Sequence, residues 1–179
     1  FGGSGFNSIL MQELRVKRGY TYGAYSTFSF SQVPGTFSFS YSTRQDQLLS
    51  SVQVAHQALI DFVTQPIDLN QLAETKAGML RAFPNNYSSN ANINAQLGAM
   101  GFYHQAADYL SQYPKLLEKI NAQDVQNAIQ KHLHPERLTL IVVNDQLDKT
   151  ALETRLKQDL NPQAAQPLPT ENLPKILNP

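Results

Sequence analysis

Two side chains near the start of the chain, Arg15 and Tyr22, have the chemistry to bind and polarise a carbonyl group. Arginine offers a rigid fork of N–H donors to a carboxylate or a peptide carbonyl, and a tyrosine hydroxyl can donate a hydrogen bond to an oxyanion. The two residues lie on either side of Gly19, where a helix is expected to end. An exposed helical arginine beside a strand tyrosine would give the same spacing, so the residues alone leave both interpretations open.

A glycine-rich stretch with Gly2, Gly3 and Gly5 precedes the helix that would carry Arg15. Free backbone N–H groups at the start of a helix can hold an anion. The stretch lacks the Lys-Ser/Thr ending of a Walker loop, which argues against a nucleotide site. A flexible turn and a loop that binds an extended peptide both agree with these residues.

The sequence offers little for metal binding or covalent catalysis. Its histidines are His56, His104, His132 and His134, and Glu136 follows the last two, which invites a metal interpretation. Zinc sites on helices use histidines four apart or the H-x-x-E-H pattern, and neither occurs in the sequence. The absence of cysteine excludes disulfides, thiolate zinc sites and a cysteine nucleophile, and there is no Gly-x-Ser-x-Gly elbow. The chain on its own therefore lacks a convincing catalytic centre.

The charge balance is even, because 14 Lys and Arg residues face 14 Asp and Glu residues and only 16% of the chain is charged. Such a chain has no long-range field to attract nucleic acid or an anionic membrane, and we expect neither as a partner. No apolar run approaches the roughly 20 residues of a membrane-spanning helix. There is no initiator Met and no leader ahead of Phe1, so we expect the natural start to lie upstream.

The apolar residues of the opening segment recur at helical spacing and predict a helix with one buried face: Phe6, Leu10, Met11 and Leu14. Asn7 is the expected cap, and Gly19 is expected to end the helix in the left-handed conformation. Residues 20–31 and 36–43 then alternate aromatic and small polar side chains, with a turn at 32–35. This pattern predicts a β-hairpin with one apolar face.

Amphipathic helices are predicted to cover that face, over residues 46–64, 68–83, 89–105, 113–120 and from a capping box at Asn121 and Asp124 onward. The apolar run 138–143 predicts a central strand, and a last helix is expected over 149–160. These elements predict an α+β fold, with helices packed on one face of a largely antiparallel sheet. Because three strands make a thin sheet, we expect further strands from upstream of Phe1 or from a partner.

The sequence resembles the pitrilysin/insulinase family of zinc metallopeptidases, the inverzincins, which include the mitochondrial processing peptidase. The resemblance rests first on Gly2-Gly3-Ser4-Gly5-Phe6 and on Leu14-Arg15-x-Lys17-Arg18-Gly19-Tyr20-Thr21-Tyr22-Gly23-Ala24. Later segments agree as well: Gly35 to Phe39, Thr43-Arg44, and His134-Pro135-Glu136-Arg137-Leu138. Ile9 departs from the pattern, since relatives often carry an arginine there.

The resemblance implies that this chain is part of the closing, zinc-free domain of a peptidase clamshell, without the first strand and helix of the family fold. It implies that Tyr22 stabilises the oxyanion and that Arg15, Gly2, Gly3 and Gly5 bind the peptide substrate. Zinc would be held by a homologous H-x-x-E-H domain or subunit, and no cofactor is expected in this chain. We assign residues 1–160 to this partial domain and residues 161–179 to a proline-bearing tail.

Two other functions agree with the same residues. One is a structural subunit that kept the fold and lost the peptidase activity, as the core proteins of a respiratory complex resemble. The other is a free-standing peptide-binding module. The resemblance also leads us to expect a periplasmic location, because bacterial members with this loop sequence are often exported.

Overall fold

A β-hairpin, followed by five α-helices, forms the part of the chain that the computed structural model describes, namely residues 1–3, 5–29, 35–144, 150 and 153–154. The strands are β1 (Ala24–Phe28) and β2 (Phe37–Tyr41). The helices are α1 (Leu48–Thr64), α2 (Leu69–Ala82), α3 (Asn90–Phe102), α4 (Tyr109–Lys119) and α5 (Ala122–His132). A short helix precedes the hairpin; it begins at residue 9, is π-helical over Met11–Val16, and is called the opening helix. Short 3-10 turns occupy Gln45–Gln47, Phe83–Tyr87 and Pro135–Arg137.

The hairpin is antiparallel, with a register that runs from Ala24 opposite Tyr41 to Phe28 opposite Phe37. Along β2 the aromatic side chains are half-buried, whereas the serines between them are exposed. This alternation is the period of two that a strand requires when one face meets a core. The apolar face packs against α1 and α5, so the predicted α+β fold with helices on one face of an antiparallel sheet is confirmed.

Two buried clusters make up the core of the described part. The first joins the opening helix to β1 and α1, through Leu10, Leu14, Ala24 and Ala55. The second joins α1 to α5 and the residue after it, through Leu59, Ile129 and Leu133. Phe39 of β2 contacts both clusters. Residues from the opening helix and from α5 therefore stabilise the same hairpin, although more than 100 positions separate them in sequence.

Side chains cap the starts of two helices, and the capping box predicted at Asn121 and Asp124 is confirmed. The Asp68 carboxylate accepts hydrogen bonds from the backbone N–H groups of Asn70 and Gln71 and begins α2. At the start of α5, the Asn121 side chain accepts from the Asp124 N–H at 3.0 Å, and the Asp124 carboxylate accepts from the Asn121 N–H at 2.9 Å. Such caps satisfy N–H groups that have no partner within the helix.

Several boundaries differ from the predictions. α4 begins at Tyr109 rather than at residue 113. The opening helix begins at residue 9 and no side chain caps the π-helical segment, so the assignment of Asn7 as the cap is wrong. β1 begins at Ala24 rather than at residue 20, because the Thr21 hydroxyl forms a local turn with the backbone of Gly23.

The prediction of a central strand over 138–143 is wrong for the described part of the chain. These residues form no strand, and the side chains of Ile141 and Val143 are 82% and 95% exposed. A strand needs a neighbour to accept and donate its backbone hydrogen bonds, and no described segment lies in that position. Most of the predicted turn at 32–35, most of the helix at 149–160 and the whole tail at 161–179 lie outside the described residues.

Within the described ranges, every helix is too short or too polar to cross a lipid bilayer.

Candidate functional site

Arg15 lies on the short helix that opens the chain, on the side away from the buried face. Leu10, Met11 and Leu14 of this helix are almost completely buried, whereas Arg15 is half-buried. The hydrogen bonding from Met11 to Val16 is π-helical, as in the Lys17 N–H bond to the Gln12 carbonyl at 3.0 Å. π-helical turns are rare and are frequent at functional sites, because the extra residue changes the direction in which side chains point.

Gly19 ends this helix, as the sequence predicts. Its φ is +63°, the left-handed conformation that residues with a Cβ rarely adopt. The Gly19 N–H donates to the Arg15 carbonyl at 2.9 Å, and the Tyr20 N–H donates to the Leu14 carbonyl at 2.8 Å. These bonds satisfy the last carbonyls of the helix and turn the chain back toward Arg15.

Two threonine hydroxyls hold the loop that carries Tyr22. The Thr21 hydroxyl accepts a hydrogen bond from the Gly23 N–H at 3.1 Å and donates to the Gly23 carbonyl at 2.8 Å. The Thr43 hydroxyl donates to the Tyr20 carbonyl at 2.8 Å, which ties the loop to the end of β2. The Tyr22 side chain is 86% exposed, and its hydroxyl makes no hydrogen bond to any described residue.

The structure brings Arg15 and Tyr22 together, and it adds Phe6 to the same site. The guanidinium carbon of Arg15 lies 4.6 Å from the centre of the Tyr22 ring and 4.7 Å from the centre of the Phe6 ring. Both distances lie within the range of a cation–π interaction. Helical spacing predicts Phe6 on the buried face of the helix, and this prediction is wrong, because Phe6 precedes the helix and is 60% exposed.

The other cations at the end of this helix share one carboxylate. Lys17 and Arg18 both form ion pairs with Glu13. The pKa of Glu13 is lowered from its ordinary value, first by the hydrogen bond from Lys17 and then by Arg18. Arg15 has no carboxylate partner within the described ranges. Its N–H groups are therefore available to a ligand.

One concave surface lies beside the loop that carries Tyr22, and another lies beside the opening helix. A shallow depression of about 400 Å³ is lined by Tyr22, by the residues that precede it from Gly19, and by Ser42, Thr43 and Arg44. A larger groove of about 610 Å³ lies between the opening helix, α1 and the start of α2, and its lining includes neither Arg15 nor Tyr22. The smaller depression is therefore the one that Tyr22 can serve.

The glycines of the opening stretch occupy different environments. Gly2 is buried, its carbonyl accepts from the Ser26 N–H at 2.7 Å, and a Cβ at this position would lie 2.6 Å from that nitrogen. Gly2 thus permits close packing on the edge of β1. Gly3 and Gly5 are exposed; a Cβ at Gly3 would meet open space, and one at Gly5 would lie 3.9 Å from the Asn7 nitrogen. The assignment of these three glycines to substrate binding stays a prediction.

The histidines take part in local contacts. His56 Nε2 lies 3.2 Å from the Pro135 carbonyl oxygen, and His134 Nδ1 lies 3.5 Å from a Glu136 carboxylate oxygen. Among the residues that the structure describes, no three His, Cys, Asp or Glu side chains lie close enough to hold a metal ion. The described part of the chain therefore offers no zinc site.

The chain is similar to known proteins both in sequence and in structure. Residues 2–79 match the family model described as "Peptidase M16 inactive domain". A crystal structure of a peptidase M16 inactive domain from Pseudomonas fluorescens is similar over 75% of this chain, with 32% sequence identity and a TM-score of 0.69. "Non-peptidase homolog YmxG" of Helicobacter pylori (strain ATCC 700392 / 26695) is 25% identical over 146 residues, which make up 80% of this chain.

The relatives are much longer than this chain. It spans 33% of the Helicobacter pylori protein and 32% of the crystallised Pseudomonas fluorescens chain, about a third of each.

Proposed function

Because this chain contains a zinc-free domain of the M16 (pitrilysin/insulinase) peptidase family, we propose that it is the substrate-binding half of a zinc metalloendopeptidase. It would work with a homologous domain or subunit that carries the H-x-x-E-H site. The described residues hold no group of zinc ligands, so the metal would belong to that partner. The substrate would be a peptide bound between the two halves.

The observation that carries this proposal is the contact between Arg15 and Tyr22. The Arg15 guanidinium lies over the Tyr22 ring at an exposed surface. Neither the Arg15 N–H groups nor the Tyr22 hydroxyl donates a hydrogen bond to a described residue. A guanidinium can bind a substrate carbonyl or carboxylate, and a phenol can donate a hydrogen bond to an oxyanion as it forms. In this arrangement Arg15 orients the peptide and Tyr22 stabilises the negative charge on the scissile carbonyl oxygen.

A structural subunit of the same fold is the second candidate, and one specific observation favours it. The Helicobacter pylori relative is named a non-peptidase homologue. A scaffold would have no need of an unpaired arginine beside an exposed tyrosine. Loss of these two side chains should therefore lower peptide hydrolysis by a substrate-binding half, whereas it should have no effect on the role of a scaffold.

The test is a peptidase assay with the complete protein that contains this chain and the H-x-x-E-H protein or domain encoded with it. Hydrolysis of a quenched fluorescent peptide library should require both components, and Arg15→Ala together with Tyr22→Phe should abolish most of the activity. Full activity of the double variant would contradict the proposal and favour the scaffold. Tight peptide binding by this protein alone, with no gain in hydrolysis on mixing, would favour a free-standing binding module.

A periplasmic location is also proposed, and fractionation of cells that express the tagged complete protein would test it.

A further inference from the structure

We propose that Phe6 is a positioning residue which, together with Tyr22, holds the Arg15 guanidinium so that its N–H edge receives a carboxylate of the substrate. This inference rests on the proposed function, because it assigns a ligand class to the same surface. It assigns a role to Phe6, and it names the chemical class of ligand that Arg15 binds.

Two aromatic rings contact the Arg15 guanidinium. The guanidinium carbon lies over the faces of both rings, at 4.7 Å from Phe6 and 4.6 Å from Tyr22. The two rings come from different loops, since Phe6 precedes the opening helix and Tyr22 follows it. All N–H donors of a guanidinium lie in its plane. A ligand that accepts hydrogen bonds from Arg15 must therefore lie at the edge of that plane.

The backbone of Phe6 is held in place for this task. The Gln12 side chain donates a hydrogen bond to the Phe6 carbonyl at 2.8 Å, and the Ser8 N–H donates to the Gly5 carbonyl at 3.2 Å. The loop that carries Phe6 is thus tied to the same helix that carries Arg15. Because this loop is already fixed, the Phe6 ring loses less conformational entropy when it stacks on the Arg15 guanidinium.

A carboxylate fits the exposed edge better than a neutral carbonyl. Two parallel N–H donors of a guanidinium match the two oxygens of a carboxylate, and such charge-assisted bonds are stronger than those to neutral acceptors. The local charge agrees: residues 1–47 carry four Lys and Arg but two Asp and Glu. Glu13 is already shared by Lys17 and Arg18, so Arg15 keeps its full charge for a ligand.

The experiment follows the Arg15 Nε–H signal by NMR in the complete protein labelled with ¹⁵N-arginine. Three probes are titrated: N-acetyl-alanyl-alanine with a free carboxylate, its C-terminal amide, and N-acetylglutamate with an amidated α-carboxyl group. The first and third probes separate a peptide C-terminus from an acidic side chain as the source of the carboxylate. We expect at least one of these two to shift the signal, and the neutral amide to leave it unchanged.

Phe6→Leu removes the ring and keeps an apolar side chain, whereas Phe6→Tyr keeps the ring. In Phe6→Leu the ring-current shift of the Arg15 signal should decrease and carboxylate affinity should fall about two- to fivefold, the effect of one exposed cation–π contact. Phe6→Tyr should restore both. Phe102→Leu is the matched control, because Phe102 is 62% exposed against 60% for Phe6 and lies on α3.

An equal response to the acid and amide probes would overturn the assignment of a carboxylate. Unchanged affinity and signal position in Phe6→Leu would overturn the positioning role. Either result can occur while Arg15→Ala and Tyr22→Phe still lower peptide hydrolysis, in which case the proposed function stands and this inference fails. If those two variants retain full hydrolysis, the proposed function fails by itself.

Discussion

The guanidinium carbon of Arg15 lies 4.6 Å from the centre of the Tyr22 ring, across a turn that reverses the chain at Gly19. The turn depends on the left-handed conformation of Gly19, and the Thr21 hydroxyl fixes the residues on either side of Tyr22. Two polar side chains from a helix and from a loop are thereby presented on one surface.

The proposed function predicts that Tyr22→Phe, in the complete protein assembled with an H-x-x-E-H partner, lowers kcat about 100-fold and changes KM little. The phenol would donate its hydrogen bond to charge that exists only in the transition state, so its loss affects turnover rather than binding. Steady-state kinetics with a single fluorogenic peptide measure both constants. Tyr103→Phe, at an exposed tyrosine that follows α3, is the control and should leave both constants unchanged. A normal kcat in Tyr22→Phe would remove Tyr22 from the mechanism.

Gly19→Ala should lower the free energy of unfolding by about 1 kcal/mol, because a residue with a Cβ is strained in the left-handed region. Open space surrounds the position of that Cβ, so the effect isolates backbone strain from steric overlap. Gly78→Ala, inside α2 and equally free of neighbours, should have the opposite effect and stabilise by roughly 0.5–1 kcal/mol. Urea denaturation of the two variants measures both changes; the same sign for both would contradict this account of Gly19.

Glu13→Gln should destabilise the protein at neutral pH by roughly 0.5–1 kcal/mol, since Lys17 and Arg18 would both lose their ion pair with the carboxylate. Folding lowers the pKa of Glu13, so the stabilisation is fully present above the ordinary pKa of a glutamate and is lost as pH falls through the lowered pKa of the folded state. Denaturation curves of wild type and variant should therefore differ at pH 7 and converge in acid. Glu118→Gln, at an exposed carboxylate of α4 without an ion pair in the described ranges, should show no such convergence. A difference between wild type and Glu13→Gln that does not depend on pH would contradict the ion-pair explanation.

Leu59→Ala should destabilise by roughly 2–5 kcal/mol, because Leu59 is completely buried between α1 and α5 and its truncation leaves a cavity. Leu116→Ala on α4 removes the same atoms from a side chain that is 53% exposed, so it should cost far less. Thermal unfolding followed by circular dichroism compares the two variants directly. Similar losses of stability would show that the second cluster is not a core.

The sequence predicts those features that depend on neighbouring residues. Gly19 ends a helix and Asn121 begins one because each rule involves a few adjacent backbone groups, and both predictions are confirmed. The proximity of Arg15 and Tyr22 could be predicted for the same reason. The position of Phe6 could not, because helical spacing predicts a buried face even where the chain is not helical. An aromatic residue beside a glycine-rich stretch, ahead of an unpaired arginine, is the signal that could have identified it.

The central strand predicted for 138–143 failed for a different reason. β-Branched and aliphatic residues indicate a strand, yet a strand forms only beside another chain segment. No segment in the described ranges takes that position, and the apolar residues are exposed instead. Residues 138–143 thus combine the side chains typical of a strand with the exposure expected where a neighbouring strand is missing.

We expect the segment 138–143 to pair with a strand supplied by the rest of the complete protein or by its partner subunit. Ile141 and Val143 are 82% and 95% exposed here, and apolar side chains in an extended segment gain free energy when a neighbouring strand covers them. Hydrogen exchange measured by mass spectrometry should therefore be fast at 138–143 in the 179-residue chain alone and at least tenfold slower in the complete, partnered protein. The β1 amides should be protected in both samples, because β1 already pairs with β2. Ile141→Lys should leave the stability of the isolated chain unchanged and lower that of the complete protein. Equally fast exchange at 138–143 in both samples would show that this segment is not a strand of the assembled molecule.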